Sequence, residues 1–332
     1  MNDRLRVLHA PMNICGQPLI LSRTMRDLGH ESTCLVFNER PYERGADRNL
    51  RLRDRPRWQR RPLQWGTFVT TLPRYDVFTF HFTASLLPDL RDLPVLKALG
   101  KTLVFRFYGS DIRRPLPGDD YAQVDGAQAD FEARQRRVEL IGRYADATIA
   151  GPNLQPFAPG SVYIPQAIDL EEYVPLEKPG GGPVKIVHSP SRRARKGTEH
   201  VVAAVERLRA EGLDVELVLV ENLPHVEAKG IYARADIAVE QLLSGWHGVS
   251  AVEFMALGLP VVSFIKPEHQ KRFPELPVVS ATPDTLADVL RDLVRDPAAR
   301  LARGRASRAY AEETFDRFKV ARQYVELYRS LR

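Results

Sequence analysis

The sequence predicts an α/β chain of two doubly wound domains, each a parallel sheet covered by helices. Three observations carry this. The chain has 332 residues, a length suited to two domains. Short apolar runs alternate with helical patterns and glycine-bearing loops, which is the order of strand–helix–strand units with sheets covered on both faces. The alternation is interrupted between Pro159 and Pro183 by a weakly structured stretch holding Pro175 and the run Pro179–Gly182, a linker-like composition.

The first half opens with the apolar run Leu5–Leu8, a loop from Pro11 to Pro18 containing Gly16, and a helical pattern through Leu21, Met25 and Leu28 that stops at Gly29. Ser32–Phe37 reads as the next strand. Tyr75–Phe82, Leu86–Leu99 and Thr102–Phe107 repeat strand, helix and strand, and a helix over Ala127–Tyr144 leads to a strand at Ala147–Ala150. In the second half Val184–His188 is a strand. The helix Thr198–Arg209 carries Val201, Val205 and Leu208 on one face and stops at Gly212. Val215–Val220 is a strand, a short helix precedes the strand Asp236–Val239, and the helix Val249–Leu257 stops at Gly258 before the strand Pro260–Phe264. Pro297–Arg332 is helical and charged. The expected divisions are residues 1–165, residues 166–310, and a helix over 311–332 returning to the first domain.

Hydrophobic residues make up 44% and charged residues 27%, which excludes a disordered or low-complexity chain. The net charge of +6 favours anionic ligands without requiring nucleic acid. Cys15 and Cys34 cannot build a disulfide framework, and no Cys/His spacing resembles a zinc site. The first residues do not read as a signal peptide, and no apolar run approaches the roughly 18 residues of a membrane helix. A cytoplasmic protein is expected.

Two segments carry chemistry. After the strand Val184–His188 comes a loop with Arg192, Arg193, Arg195 and Lys196, and a helix starting at Gly197. Cations beside a helix start at the carboxyl end of a parallel strand suit an anion, most naturally a pyrophosphate; a solvated basic loop is the competing reading. After Asp236–Val239 comes a loop with Gly245 and Gly248 ahead of the helix at Val249. Its glycines allow close backbone approach, and the free N–H groups around His247, Gly248 and Val249 can hold phosphate or sugar oxygens. Glu253 lies one turn into this helix between Val252 and Phe254, so its charge needs a partner, and a ribose diol would serve.

These stretches resemble the donor site of retaining glycosyltransferases of family 4, which have the GT-B fold of two facing Rossmann-like domains with a cleft between them. That family reads Glu-Gly-Phe-Gly, four variable residues, then Glu-Ala-Met-Ala-x-Gly-x-Pro-Val-Val. Here Gly245-Trp246-His247-Gly248 is followed by Glu253-Phe254-Met255-Ala256-Leu257-Gly258-Leu259-Pro260-Val261-Val262, so Gly245 replaces the first glutamate. Lys196-Gly197 is similar to the family's pyrophosphate grip, whose arginine matches Arg192 or Arg193. Ile164-Pro165-Gln166-Ala167-Ile168-Asp169 resembles its interdomain strand exit. In the first half Asn13-Ile14-Cys15-Gly16-Gln17 stands where the family has a glycine loop bordering sugar and acceptor. Tyr108-Gly109-Ser110-Asp111 resembles its His-Gly-Ser-Asp, with Tyr108 in place of histidine.

The resemblance implies a metal-independent transferase without a resident cofactor, using a nucleotide diphosphate sugar as donor. The second domain would bind that donor and the first the acceptor. Arg193 and Lys196, with Arg192 in reserve, would neutralise the pyrophosphate, and Glu253 would hold the ribose. Gly245 has no side chain with which to hold sugar hydroxyls. Glu240 and Gln241, at the end of the preceding strand, are the nearest polar groups in sequence to do so in its place. Gly16, Gln17, Tyr108 and Asp111 fall on the acceptor or sugar side. His81 follows the Tyr75–Phe80 strand and either joins them, facing the cleft, or is a packed or solvated histidine. A silent nucleotide-sugar binding protein is the alternative. A nicotinamide enzyme is disfavoured, since no Gly-x-Gly-x-x-Gly follows the first strand.

Three features remain. His9 and His188, near strand ends, read as structural or peripheral. Asp119 and Asp120 are adjacent and point apart, a poor metal pair. Arg48–Arg61 holds seven arginines and one acid, Asp54, with Trp58 inside it and Trp65 just beyond. A solvated loop is the plainer reading; contact with an anionic membrane at the inner face, or with an anionic acceptor, is the functional one. No partnership with nucleic acid is expected.

Overall fold

A computed structural model describes residues 4–39, 45–114, 127–177 and 181–332. Asp119, Asp120 and part of the Pro179–Gly182 run lie outside the described residues. The described chain forms two compact units: residues up to 114, 127–167 and 317–332 in one, and the rest in the other.

The first unit runs β1 (Arg6–Ala10), α1 (Gln17–Asp27), β2 (Glu31–Val36), β3 (Arg48–Asn49), α2 (Arg57–Thr71), β4 (Val77–His81), α3 (Leu93–Ala98), β5 (Thr102–Arg106), α4 (Ala127–Tyr144) and β6 (Ala147–Ile149). Its strands pair in parallel in the order β3-β2-β1-β4-β5-β6, so the order reverses between β1 and β4. Successive strand residues face opposite ways. Leu8, Phe78, Phe80 and Phe105 therefore join one core, while Val7, Val77 and Val104 join the other.

The second unit runs β7 (Val184–His188), α5 (Arg193–Lys196), α6 (Thr198–Ala210), β8 (Val215–Leu219), α7 (His225–Tyr232), β9 (Ile237–Val239), α8 (Val249–Ala256), β10 (Val261–Ser263), α9 (Pro267–Arg272), β11 (Val279–Ser280), α10 (Leu286–Arg295) and α11 (Pro297–Thr314). Its parallel order is β11-β10-β9-β7-β8, with the reversal between β7 and β9. The last helix, α12 (Arg317–Ser330), belongs to the first unit. Its Val320, Tyr324 and Tyr328 complete the core around Val7, Leu21 and Met25.

Three segments differ from the sequence reading. The helix expected over Leu86–Leu99 is only α3, preceded by a 3-10 turn at Pro88–Leu90. Pro88 and Pro94 lack the N–H groups a continuous helix needs, and the leucine spacing reflects burial alone. The Arg48–Arg61 loop is in fact β3, a 3-10 turn and the first residues of α2. The single helical run after Pro297 is two helices, parted at Phe315 and Asp316, where the Ile168 amide donates to the Phe315 carbonyl at 2.8 Å.

Candidate functional site

In the second unit the loops after β7 and β9 leave the carboxyl ends of the two strands at which the order reverses, the usual place for a ligand in a doubly wound sheet. Gly197, at φ +75°, closes α5 and opens α6, and a Cβ there would stand 3.2 Å from Leu242 Cβ. The Leu242 amide donates to the Lys196 carbonyl at 3.2 Å, which ties the two loops together.

The centre of the site is a buried ion pair. Lys196 Nζ donates to Glu240 Oε1, and the Glu240 side chain is wholly buried. Glu240 also accepts from the Gly248 amide at 3.2 Å, from Ser250 Oγ at 3.3 Å and from Ser263 Oγ at 3.2 Å. Burial pushes this carboxyl upward, but the charge and hydrogen bond of Lys196 outweigh it and hold it below the ordinary value. A Cβ on Gly248 would lie 2.9 Å from Glu240 Oε1 and 3.6 Å from Lys196 Nζ, so only glycine lets the pair come this close to the backbone. Gly248 is the N-cap of α8, which has no side-chain cap. A fixed ammonium thus stands beside uncapped helix N–H groups, an arrangement suited to a phosphate.

Glu253 is buried one turn into α8. It accepts from Tyr173 Oη at 2.8 Å and pairs with His225 Nε2 at 2.7 Å, while Lys229 Nζ stands 5.1 Å from the Tyr173 ring centre. Sequence reasoning missed Tyr173, His225 and Lys229: Tyr173 lies in the linker-like stretch, the other two on a short helix without a motif. The need of Glu253 for a partner was the one available signal.

Arg193 is half-exposed and bonded to Glu199 at 3.2 Å and Glu221 at 3.0 Å, and Arg192 is the N-cap of α5. His247 is buried against Trp246 and Phe315, its Nε2 without a hydrogen-bond partner, and burial lowers its pKa to about 4.

Glu240 and Gln241, expected to contact the sugar, both have side chains bonded within the protein. Glu240 holds Lys196 and the Gly248 turn. Gln241 Nε2 donates to the carbonyls of Trp246 at 2.7 Å and Phe264 at 3.1 Å, and its Oε1 accepts from the amides of Leu243 at 2.9 Å and Ser244 at 2.7 Å. Three of these four bonds close its own loop, and the fourth ties that loop to Phe264 after β10. Gly245 has a backbone reason: its φ is +75°, and a Cβ would fall 2.6 Å from Lys266 Cγ.

In the first unit Gly16 (φ 73°) is the left-handed N-cap of α1. Gln17, expected on the acceptor side, is also committed: its Nε2 donates to the Ala167 carbonyl at 2.9 Å and its Oε1 accepts from the Ala167 amide at 2.8 Å. Asp111 is turned back on its own loop, accepting from the amides of Gly109 at 2.7 Å and Tyr108 at 3.1 Å, and burial raises its pKa to about 6. His81 bridges His9 and Tyr108. A pocket of about 550 Å³ opens at the amino ends of the strands, lined by Arg4, Arg6, Arg26 and Arg74 among others. Arg6 is paired there with Asp76 and Arg26 with Asp47, so it is less suited to an anion than the second-unit loops. Among the described residues no three His, Cys, Asp or Glu side chains are grouped to hold a metal ion.

The architecture matches solved structures along nearly the whole chain. Sucrose-phosphate synthase from Thermosynechococcus elongatus aligns with a TM-score of 0.68 at 18% identity, covering 99% of each chain. HepE from Anabaena, solved in complex with UDP-glucose, aligns at 0.64 and 15%, covering 98% of this chain and 99% of that one. WaaG, a glycosyltransferase involved in lipopolysaccharide biosynthesis, aligns at 0.59 and 14%, covering 97% and 99%. The chain has the GT-B fold. No protein-family model matches the sequence, and no curated protein does. In GT-B terms the Lys196–Glu240 pair and the start of α8 lie in the second of the two sheet units, and the His9–His81–Tyr108 chain in the first.

Proposed function

We propose that this GT-B protein is a retaining glycosyltransferase that moves a sugar from a nucleotide diphosphate sugar to an acceptor hydroxyl without a metal ion. The observation that carries the reading is the ammonium of Lys196, fixed by buried Glu240 beside the uncapped start of α8. A leaving pyrophosphate gathers negative charge in the transition state, and preorganised donors aimed at that charge lower the barrier. Lys196 and the α8 amides bind the phosphates, with Arg193 and Arg192 at the edge of the site. Glu253, backed by Tyr173 and His225, takes the ribose hydroxyls. The acceptor hydroxyl attacks on the face the pyrophosphate leaves, its proton passes to the phosphate, and no covalent enzyme intermediate forms. The UDP-glucose bound by HepE makes UDP sugars the first donors to try.

The partner surface we assign to α2 is an anionic membrane, met from the cytoplasmic side. Trp58, Pro62, Trp65 and Val69 recur every three or four residues, so they share one helix face. All four are exposed, opposite the buried Thr67, Phe68 and Thr71. Arg51, Arg53, Arg55, Arg57, Arg60 and Arg61 flank them. Exposed tryptophans framed by arginines suit the headgroup region of an acidic bilayer. Among the described residues no helix is long and apolar enough to cross a membrane.

The deciding experiment is a panel of nucleotide sugars followed for turnover with and without EDTA, with the anomeric configuration of the product read by NMR. Lys196→Ala should raise the Kd for the free nucleoside diphosphate by roughly ten- to a hundred-fold, the scale of a hydrogen bond to a charged group. Turnover that stops on chelation would end metal independence. Binding without any turnover would make the protein a nucleotide-sugar binder.

A further inference from the structure

The first unit holds a chain of three side chains to which the mechanism above gives no part. His9 lies on β1, His81 ends β4, and Tyr108 follows β5 by two residues. β1 and β4 are the neighbours at which this sheet's order reverses, and their carboxyl ends are where such sheets meet ligands. His9 Nδ1 stands 3.1 Å from His81 Nε2, and His81 Nδ1 stands 2.8 Å from Tyr108 Oη. Both imidazoles are fully buried, while Tyr108 is half-buried. At the inner end His9 Nε2 has no hydrogen-bond partner. At the outer end the Tyr108 hydroxyl has His81 as its one protein partner among the described residues.

Burial holds both rings neutral near pH 7, taking His9 down to about 3 and His81 well below its ordinary value, with Arg106 acting on His81 in the same direction. Each neutral ring carries one proton, so the chain has two self-consistent arrangements. In the outward one His9 Nδ1–H donates to His81 Nε2, His81 Nδ1–H donates to the Tyr108 oxygen, and the Tyr108 proton is left to point away from the chain. In the inward one Tyr108 donates to His81 Nδ1, His81 Nε2–H donates to His9 Nδ1, and the proton of His9 sits on buried Nε2 with nothing to receive it. The arrangements exchange defects at the two ends: the outward one leaves a lone pair on His9 Nε2 unfilled and the Tyr108 O–H to find its acceptor at the half-buried end, and the inward one strands the His9 N–H at the fully buried end. Buried N–H groups without an acceptor are the rarer and costlier defect.

We infer that His9 and His81 are positioning residues that fix Tyr108 as an outward hydrogen-bond donor, aimed at a lone-pair oxygen of the sugar handled at this strand edge. The sugar in that statement rests on the transferase reading; the proton polarity does not. A hydroxyl held this way rejects a ligand that presents only donors, so it contributes selectivity as well as affinity.

The test is ¹⁵N NMR of ligand-free protein labelled at histidine, with His9→Gln and His81→Gln assigning the two rings. If His81→Gln does not fold, Tyr108→Phe keeps the ring, removes only the hydroxyl, and identifies His81 by the change at its Nδ1. Both rings should appear as the Nδ1–H tautomer at pH 7. An Nε2–H tautomer or an imidazolium at either ring overturns the proposal, whatever the protein's activity. With whichever nucleotide sugar of the panel is turned over, Tyr108→Phe should lower kcat/KM by about ten- to a hundred-fold at unchanged Kd for the free nucleoside diphosphate. Unchanged kcat/KM overturns the directed donor. A panel with no turnover at all ends the transferase reading and leaves the tautomer result to decide the polarity alone.

Discussion

Glu240→Ala is expected to destabilise the second unit by about 3 kcal/mol, and to weaken nucleotide binding as well. The carboxylate is wholly buried and receives four donors: Lys196 Nζ, the Gly248 amide, Ser250 Oγ and Ser263 Oγ. Removing one member of a buried pair typically costs about 3–5 kcal/mol, because the other charge is left without compensation. Two features place this case at the lower end. The Lys196 side chain keeps 17% of its exposure and can reach water. Ser263 Oγ already has a second acceptor, the Gln241 carbonyl at 3.1 Å. Glu240→Gln retains the volume and an acceptor, so its cost should be about 1.5–3 kcal/mol. The assay is urea unfolding at pH 7 with a double-mutant cycle against Lys196→Met, alongside calorimetry with UDP. The folded carboxyl lies below its ordinary value of 4.5, so the contribution is present above that pH and is lost as pH falls through the lowered value. Stability within about 0.5 kcal/mol of wild type, together with unchanged nucleotide affinity and altered choice among epimeric sugars, would refute the tether and restore Glu240 as a direct sugar contact.

Gly245→Glu, which writes the family's glutamate back into the loop, should cost about 1–3 kcal/mol without raising activity, because φ is +75° and the new Cβ meets Lys266; a more active variant of equal stability would contradict this. His9, His188 and His247 are buried with pKa values of about 3, 4 and 4, and His81 is shifted the same way. The unfolded chain therefore binds their protons first, and stability should decline as pH falls below about 6.5, by about 1.4 kcal/mol per pH unit for each ring. Urea unfolding at pH 7 and pH 5 checks this, and equal midpoints would exclude it. Replacing Trp58 and Trp65 with alanine should abolish sedimentation with acidic vesicles at low salt while changing stability by no more than about 0.5 kcal/mol per site. Unaltered sedimentation would remove α2 from membrane contact.

The parallel sheets of both units were readable in the sequence because buried parallel strands are short apolar runs punctuated by glycine; Val184–His188 falls on β7 residue for residue. The elements of the proposed anion site were equally visible, since Lys196, Gly197 and Gly248 mark a basic turn and an uncapped helix start. What sequence could not give was the partner of each polar group. Glu240 and Gln241 were legible as polar residues near the loop, but whether they face ligand or backbone is decided by contacts with Lys196, Ser263 and Phe264. Helix α2 was missed because only Thr67, Phe68 and Thr71 are buried, and its other face carries tryptophans that blur the 3.6-residue pattern. His9 looked structural because a lone strand histidine usually is; its alignment with His81 depends on β1 lying beside β4, a neighbour 72 residues away.

The placement of α12 has a consequence for the order in which the protein is made. Residues 168–316 are synthesised as one continuous block, so the second unit can fold while the ribosome is still reading. The first unit waits: the apolar surface of Val7, Leu21, Met25 and Val77 has no cover until Tyr324 and Tyr328 emerge. Of the two, the half translated first is the half completed last. Its nascent form is the one exposed to chaperones and proteases, and a stop codon ahead of Arg317 would uncover one face of that half's sheet while leaving its other core and the second unit's sheet whole.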